Sequence, residues 1–132
     1  MKKIYKIINL KNKRPIVCLT AYSKPIAKIL DKHCDIVLVG DSLATAMLGM
    51  PNTHSINVNT MIQHGISVKS NINNALCVVD MPANSYKNIN QAKKNAKLIF
   101  NKTKCDAVKI ECNGKNYKII KSIIDIGIPV MG

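Results

Sequence analysis

The sequence lacks most of what nucleic-acid readout, thiolate metal sites and membrane insertion require. A single arginine stands beside 19 lysines in 132 residues with a formal net charge of +13. Arginine's planar fork is the usual means of bidentate contact with phosphates and base edges. The lysines are scattered over every segment, and one Phe and four Tyr leave little for base stacking. No nucleic-acid partner is therefore expected. The lysines, 15 asparagines and 20 isoleucines read as a bias toward residues with AT-rich codons. What the charge does favour is attraction for anionic metabolites. Five cysteines (Cys18, Cys34, Cys77, Cys105, Cys112) form no CxxC pair, and four lie in or beside apolar runs. Reduced thiols there behave as small hydrophobes, which argues against a disulfide framework or a zinc site. No apolar run approaches the length of a membrane span, and MKKIYKIINLKNKR lacks the continuous core of a secretory signal. No membrane partner and a reduced, cytoplasmic setting are expected. Also missing are a Gly-rich phosphate loop, a nucleophile elbow and HExxH.

What is present is an alternation. Short β-like runs at Ile16–Thr20, Ile36–Val39, Ala75–Val79, Ala107–Ile110 and Ile128–Met131 are separated by segments of helical spacing. Ile26, Ile29, Leu30 and His33 share one helical face, as do Met61, Ile62, Ile66 and Lys69, although Gly65 interrupts that segment. Ala92, Ala96, Ile99 and Phe100 repeat the pattern, then Ile119, Ile120, Ile123 and Ile124. Asn59 and Asn90 are candidate N-caps. Strands alternating with helices imply an α/β fold with parallel strands and right-handed crossovers. KHCDIVLVG (Lys32–Gly40) and TKCDAVKIE (Thr103–Glu111) echo one another, consistent with a repeating unit. Four β/α units and the start of a fifth strand fit either half of an eight-unit barrel or a complete five-stranded doubly wound sheet. The stretch from Asp41 to Val58 is too long and polar for a plain connection.

Only seven residues are acidic. Asp31, Asp35, Asp106 and Asp125 fall at helix ends or before strands, where solvated caps and turns account for them. Asp41, Asp80 and Glu111 each lie at or just past the C-terminal end of a strand, where parallel α/β folds carry their sites. Each alone is explained by a turn or an ion pair. Three converging there would repel unless a hard cation such as Mg²⁺ joined them. Lys109 and Glu111, two apart, share a strand face, and Val108 and Ile110 face the helices. The two charges form either an ion pair or a division of labour, Glu111 on the metal and Lys109 on a substrate anion. Ser42 reads as a cap that could also donate to an oxyanion. His33, His54 and His64 read as structural.

The segments LTAY (Leu19–Tyr22), IVLVGDSL (Ile36–Leu43), LG (Leu48–Gly49), MIQH (Met61–His64), VVDMP (Val78–Pro82), SY (Ser85–Tyr86), DAVKIE (Asp106–Glu111) and GIPVMG (Gly127–Gly132) resemble, in order and spacing, the ketopantoate (3-methyl-2-oxobutanoate) hydroxymethyltransferase family. The resemblance implies a (β/α)₈ barrel, with residues 1–132 as the first half of that single domain and no second domain. It implies Mg²⁺ ligands at Asp41, Asp80 and Glu111, and keto-acid contacts at Asp41, Ser42, Asp80 and Lys109. The implied reaction moves a hydroxymethyl group from 5,10-methylenetetrahydrofolate to 3-methyl-2-oxobutanoate through a Mg²⁺-stabilised enolate, giving 2-dehydropantoate for pantothenate synthesis. Family members are homo-oligomers, commonly decamers. The family's general base is a glutamate of the second half, so no catalytic base is expected within these residues, and the 132-residue chain is expected to be inactive alone. Departures from the pattern are Ser23, Ala44, Ala83, Asn84, Cys112 and Asn113, the last five at positions where other residues, mostly glycine, are usual. The rival readings are a Mg²⁺-dependent barrel enzyme of the phosphoenolpyruvate mutase and isocitrate lyase type, or a basic α/β binding module without catalysis.

Overall fold

The five apolar runs become strands because Val, Ile and Leu suit a sheet buried on both faces, and Gly, Asp or Asn-rich turns end them. The computed structural model describes residues 2–132, with side chains from Lys3 onward. Its elements in chain order are α1 (Lys2–Ile8), β1 (Cys18–Thr20), α2 (Lys24–Leu30), β2 (Ile36–Val39), α3 (Leu43–Ala46), α4 (Val58–Lys69), β3 (Leu76–Asp80), α5 (Ile89–Thr103), β4 (Ala107–Lys109), α6 (Tyr117–Ile124) and β5 (Val130–Met131). All four strand pairs are parallel, and the sheet order is β1-β2-β3-β4-β5.

That order settles what periodicity left open. A doubly wound sheet reverses its strand order at a switch point, so its helices cover both faces. Here every step goes to the next neighbour, and right-handed crossovers then lay every connecting helix on one face. Val37, Val39, Cys77, Val79 and Val108 point that way, into a core with Ala27, Met61, Val68, Ala92, Ala96, Ile99 and Ile123. The other face carries Ile36, Leu76, Val78 and Ala107, flanked by Leu38 and Met131. Ile4 and Ile7 of α1, a helix the periodicity did not single out, pack against it. The result is a curved wall of a (β/α)₈-type barrel.

Of the four carboxylates expected at solvated caps and turns, Asp125 is the exposed C-cap of α6, paired with Lys121. Asp31, Asp35 and Asp106 are instead fasteners at the N-terminal end of the strands. Asp31 is only 7% exposed. Its Oδ1 accepts from the backbone N–H groups of Asn73, Asn74 and Ala75 at 3.0, 2.8 and 2.9 Å. The Cys-Asp echo has a shared purpose. Asp35 accepts from Val17 N at 3.0 Å and from Arg14, and Asp106 accepts from Cys77 N at 2.9 Å and from Lys69 at 2.7 Å. Each aspartate ties its own strand to the preceding one. The caps of α4 and α5 are Asn57 and Asn88, whose side chains accept from Thr60 N and Gln91 N; Asn59 and Asn90 fall inside the first turns. His33 lies in the exposed turn after α2, off the helical face expected for it.

Candidate active site

β3 ends in Val78-Val79-Asp80 and β4 in Ala107-Val108-Lys109, with Asp80 and Lys109 as register partners. Strand alternation sends Val79 and Val108 among the helices, so Asp80 and Lys109 stand on the inner face at the C-terminal strand ends. Lys109 Nζ donates to Asp80 Oδ2 at 2.8 Å. Asp80 is 2% exposed, and its Oδ1 is buried without a hydrogen-bond partner. Burial pushes this carboxyl up to about 6 in spite of Lys109, and the nearby Asp41 charge adds to the rise. Burial pulls Lys109 down, but its hydrogen bond to Asp80 and the charges of Asp80, Asp41 and Glu111 outweigh that and raise it. Lys109 is therefore a fixed cation at neutral pH.

Past β2, Gly40 turns the chain so that the Asp41 N–H points at Asp80 Oδ2, 3.5 Å away. A Cβ on Gly40 would come within 2.9 Å of Ser42 Oγ, so the glycine keeps space for that hydroxyl. Ser42 starts α3 but its side chain makes no cap bond. Its Oγ lies 2.8 Å from Tyr22 Oη instead. The Tyr22 carbonyl in turn contacts His64 Nδ1 at 2.6 Å, which ties α4 to the loop after β1. The sequence reading had no role for Tyr22 and took His64 as structural. The signal was there only as the motifs LTAY and MIQH.

Glu111 lies beyond the end of β4 and is exposed, with its backbone carbonyl accepting from Asn116 Nδ2 at 2.7 Å. The acidic groups share one end of the sheet. The half-buried Tyr86 hydroxyl is raised by burial first, then by the charges of Glu111, Asp80 and Asp41, with Lys109 opposing. Asp41, Asp80 and Lys109 thus come together, with Ser42 next to Asp41 in the chain but bonded to Tyr22, and Glu111 at the margin. Among the described residues, no three His, Cys, Asp or Glu side chains are gathered closely enough to hold a metal ion. His54 lies in an exposed turn, where it lines a groove with Pro82, Ala83, Asn84 and Ser85 of the loop after β3.

A model of the family described as ketopantoate hydroxymethyltransferase matches residues 2–132. The 3-methyl-2-oxobutanoate hydroxymethyltransferase of Pelagibacter ubique (strain HTCC1062) is 50% identical over 131 residues, covering 99% of this chain and 51% of that protein. The protein of the same name from Chelativorans sp. (strain BNC1) is 47% identical over 126 residues, covering 95% and 45%. The chain thus spans about half the length of the curated relatives it matches. Among solved structures, phosphonopyruvate hydrolase in complex with oxalate and Mg++ superposes with a TM-score of 0.70 at 11% identity, over 94% of this chain and 46% of that one. The 2,3-dimethylmalate lyase, a PEP mutase/isocitrate lyase superfamily member, gives 0.69 at 13% identity, over 98% and 49%. At such low identity these structures speak for the barrel fold alone. The motifs, the family model and the relatives point the same way: the chain belongs to the ketopantoate hydroxymethyltransferase family.

Proposed function

We propose that these residues form the keto-acid and Mg²⁺ side of a hydroxymethyltransferase acting in pantothenate biosynthesis. The methylene carbon of 5,10-methylenetetrahydrofolate, with water supplying the hydroxyl, becomes the hydroxymethyl group on 3-methyl-2-oxobutanoate, and the products are 2-dehydropantoate and tetrahydrofolate. The observation that carries this reading is the Asp80–Lys109 pair at the strand ends, with one carboxylate oxygen buried and unpartnered. A buried acceptor without a donor is costly, and a cation would satisfy it. Asp80 and Asp41 would hold Mg²⁺, which is commonly bound by one or two carboxylates with waters and substrate oxygens completing its shell. Glu111, exposed at the margin, is not gathered with them. When bound there, the ion supplies Lewis-acid polarisation of the keto oxygen.

The chain's own residues do the rest. Lys109 sets a positive charge against the keto acid and the oxyanion that develops when the adjacent carbon loses its proton. Ser42, held by Tyr22, donates a hydrogen bond to the same anion. The family resemblance puts the general base on a glutamate outside residues 1–132, so in this reading the stretch binds without turning over. At 47–50% identity the relatives favour this chemistry over the mutase and lyase alternative, whose members share only the fold.

Calorimetric titration of the 132-residue chain with 3-methyl-2-oxobutanoate should show binding in Mg²⁺ that disappears in EDTA. Asp80→Asn should weaken it by at least about tenfold, the equivalent of about 1.4 kcal/mol. Binding indifferent to both EDTA and Asp80→Asn would overturn the assignment. Turnover by the purified chain would instead show that the base lies within it.

A further inference from the structure

A cavity of about 470 Å³ lies at the opposite, N-terminal end of the strands, within the size range of small-molecule sites. Its walls come from α1, from the segment entering β1, from the turn between α2 and β2, and from the start of β3. Four cations, Lys3, Lys6, Arg14 and Lys32, line it with two carboxylates, Asp31 and Asp35, leaving an excess of two positive charges. Both carboxylates are already engaged, although Lys6 lies near enough for its charge to act on Asp35. Asp35 takes Arg14 through both oxygens at 2.6 and 2.7 Å and Val17 N at 3.0 Å. Asp31 is filled by three backbone N–H groups and by Asn74 Nδ2. Lys3 is spent on the Ala75 carbonyl at 2.9 Å. Among the described residues, Lys6 and Lys32 make no ion pair.

We propose that this cavity binds a small phosphate-bearing anion, held by Lys6 and Lys32. A compact lysine ammonium suits a phosphate oxygen as a point charge. The two acids are already engaged by backbone, asparagine and arginine contacts and offset the four cations only in part. An extended nucleic-acid strand fits less well, because the only arginine is occupied by Asp35 and the site is concave. The keto-acid site lies at the other end of the same strands, so the two sites are separate and this inference stands apart from the proposed chemistry.

Inorganic pyrophosphate titrated into the 132-residue chain at about 0.15 M salt, where longer-range charge effects are screened, tests this. Saturable binding is expected, weakened by about tenfold or more in Lys6→Ala/Lys32→Ala. A control, Lys97→Ala/Lys102→Ala on α5, removes the same charge elsewhere and should change affinity by less than about twofold. Citrate, a carboxylate anion of comparable charge, should bind more weakly than pyrophosphate. All four lysines carry exposed or solvent-facing side chains, so unchanged circular dichroism is expected throughout. Equal weakening by both pairs would reduce the effect to diffuse charge, and non-saturable binding would exclude the site. Stronger binding of citrate would overturn the phosphate assignment.

Discussion

Three aspartates show how far position governs one side chain. The guanidinium of Arg14 and the Val17 N–H hold the Asp35 carboxyl down at about 2. Burial pushes Asp31 up, but the N–H groups of Ala75, Asn73 and Asn74 outweigh it and leave the carboxyl below its ordinary value. Both stabilise the fold most when ionised. Their contribution is complete above the unfolded carboxyl range near 4 and drains away as the pH falls toward 2. Asp80 works in the other sense: raised to about 6, its contribution is complete below about 4 and is lost as the pH rises through 6. Urea unfolding midpoints should therefore drop between about pH 4 and 2, and Arg14→Gln should flatten that drop by returning Asp35 toward its ordinary value. An acid limb unchanged in Arg14→Gln would show that the pair contributes nothing. From sequence, Asp41, Asp80 and Glu111 stood out because strand ends are visible as apolar runs that stop. Asp31 was misjudged because its partners lie more than 40 residues away. No local pattern reveals which backbone groups a carboxylate will meet.

Element by element, β2 begins and ends where its apolar run does, and the other strands lie within two residues of theirs. Helix spacing located α2, α4, α5 and α6, but the caps fell two residues early because the asparagine with extended backbone, not the one nearest the apolar stripe, can reach the third N–H. Gly65, which weakened the helical reading of Met61–Lys69, is explained by crossing distance. A Cβ there would lie 2.7 Å from Thr103 Cγ2 and 3.1 Å from Val79 Cγ2, so α4 approaches β3 and α5 only because the side chain is missing. Gly65→Ala should gain about 1 kcal/mol of helix propensity and lose about 1 to 3 in overpacking. A net loss of up to about 2 kcal/mol in urea unfolding is expected. A stabilised variant would mean the neighbours yield freely.

At the scale of the whole molecule, β1 and β5 each pair on one side only, so both edges of the sheet are open. Leu19 of β1 and Ile16 and Val17 just before it are exposed. Open edges with apolar neighbours template association, and we propose that the 132-residue chain self-associates through them. Sedimentation of the 132-residue chain should show mass rising with concentration, with Leu19→Lys on the β1 edge moving it toward monomer. A monomer at every concentration would remove that proposal.

Periodicity and composition by themselves determined the parallel α/β class, the five strands alternating with α2, α4, α5 and α6, and the acidic strand ends, because these depend on local spacing that every fold of this kind must obey. The helices α1 and α3 were not visible in them. Only the tertiary structure decided between a barrel wall and a doubly wound sheet, since strand order depends on which neighbour each crossover reaches. It alone also joined Tyr22 to Ser42 and His64, and set Glu111 at the margin of the Asp41, Asp80 and Lys109 group. Contacts between residues 20 to 42 positions apart arise from the sheet's register and the helices' docking, which no local stretch encodes.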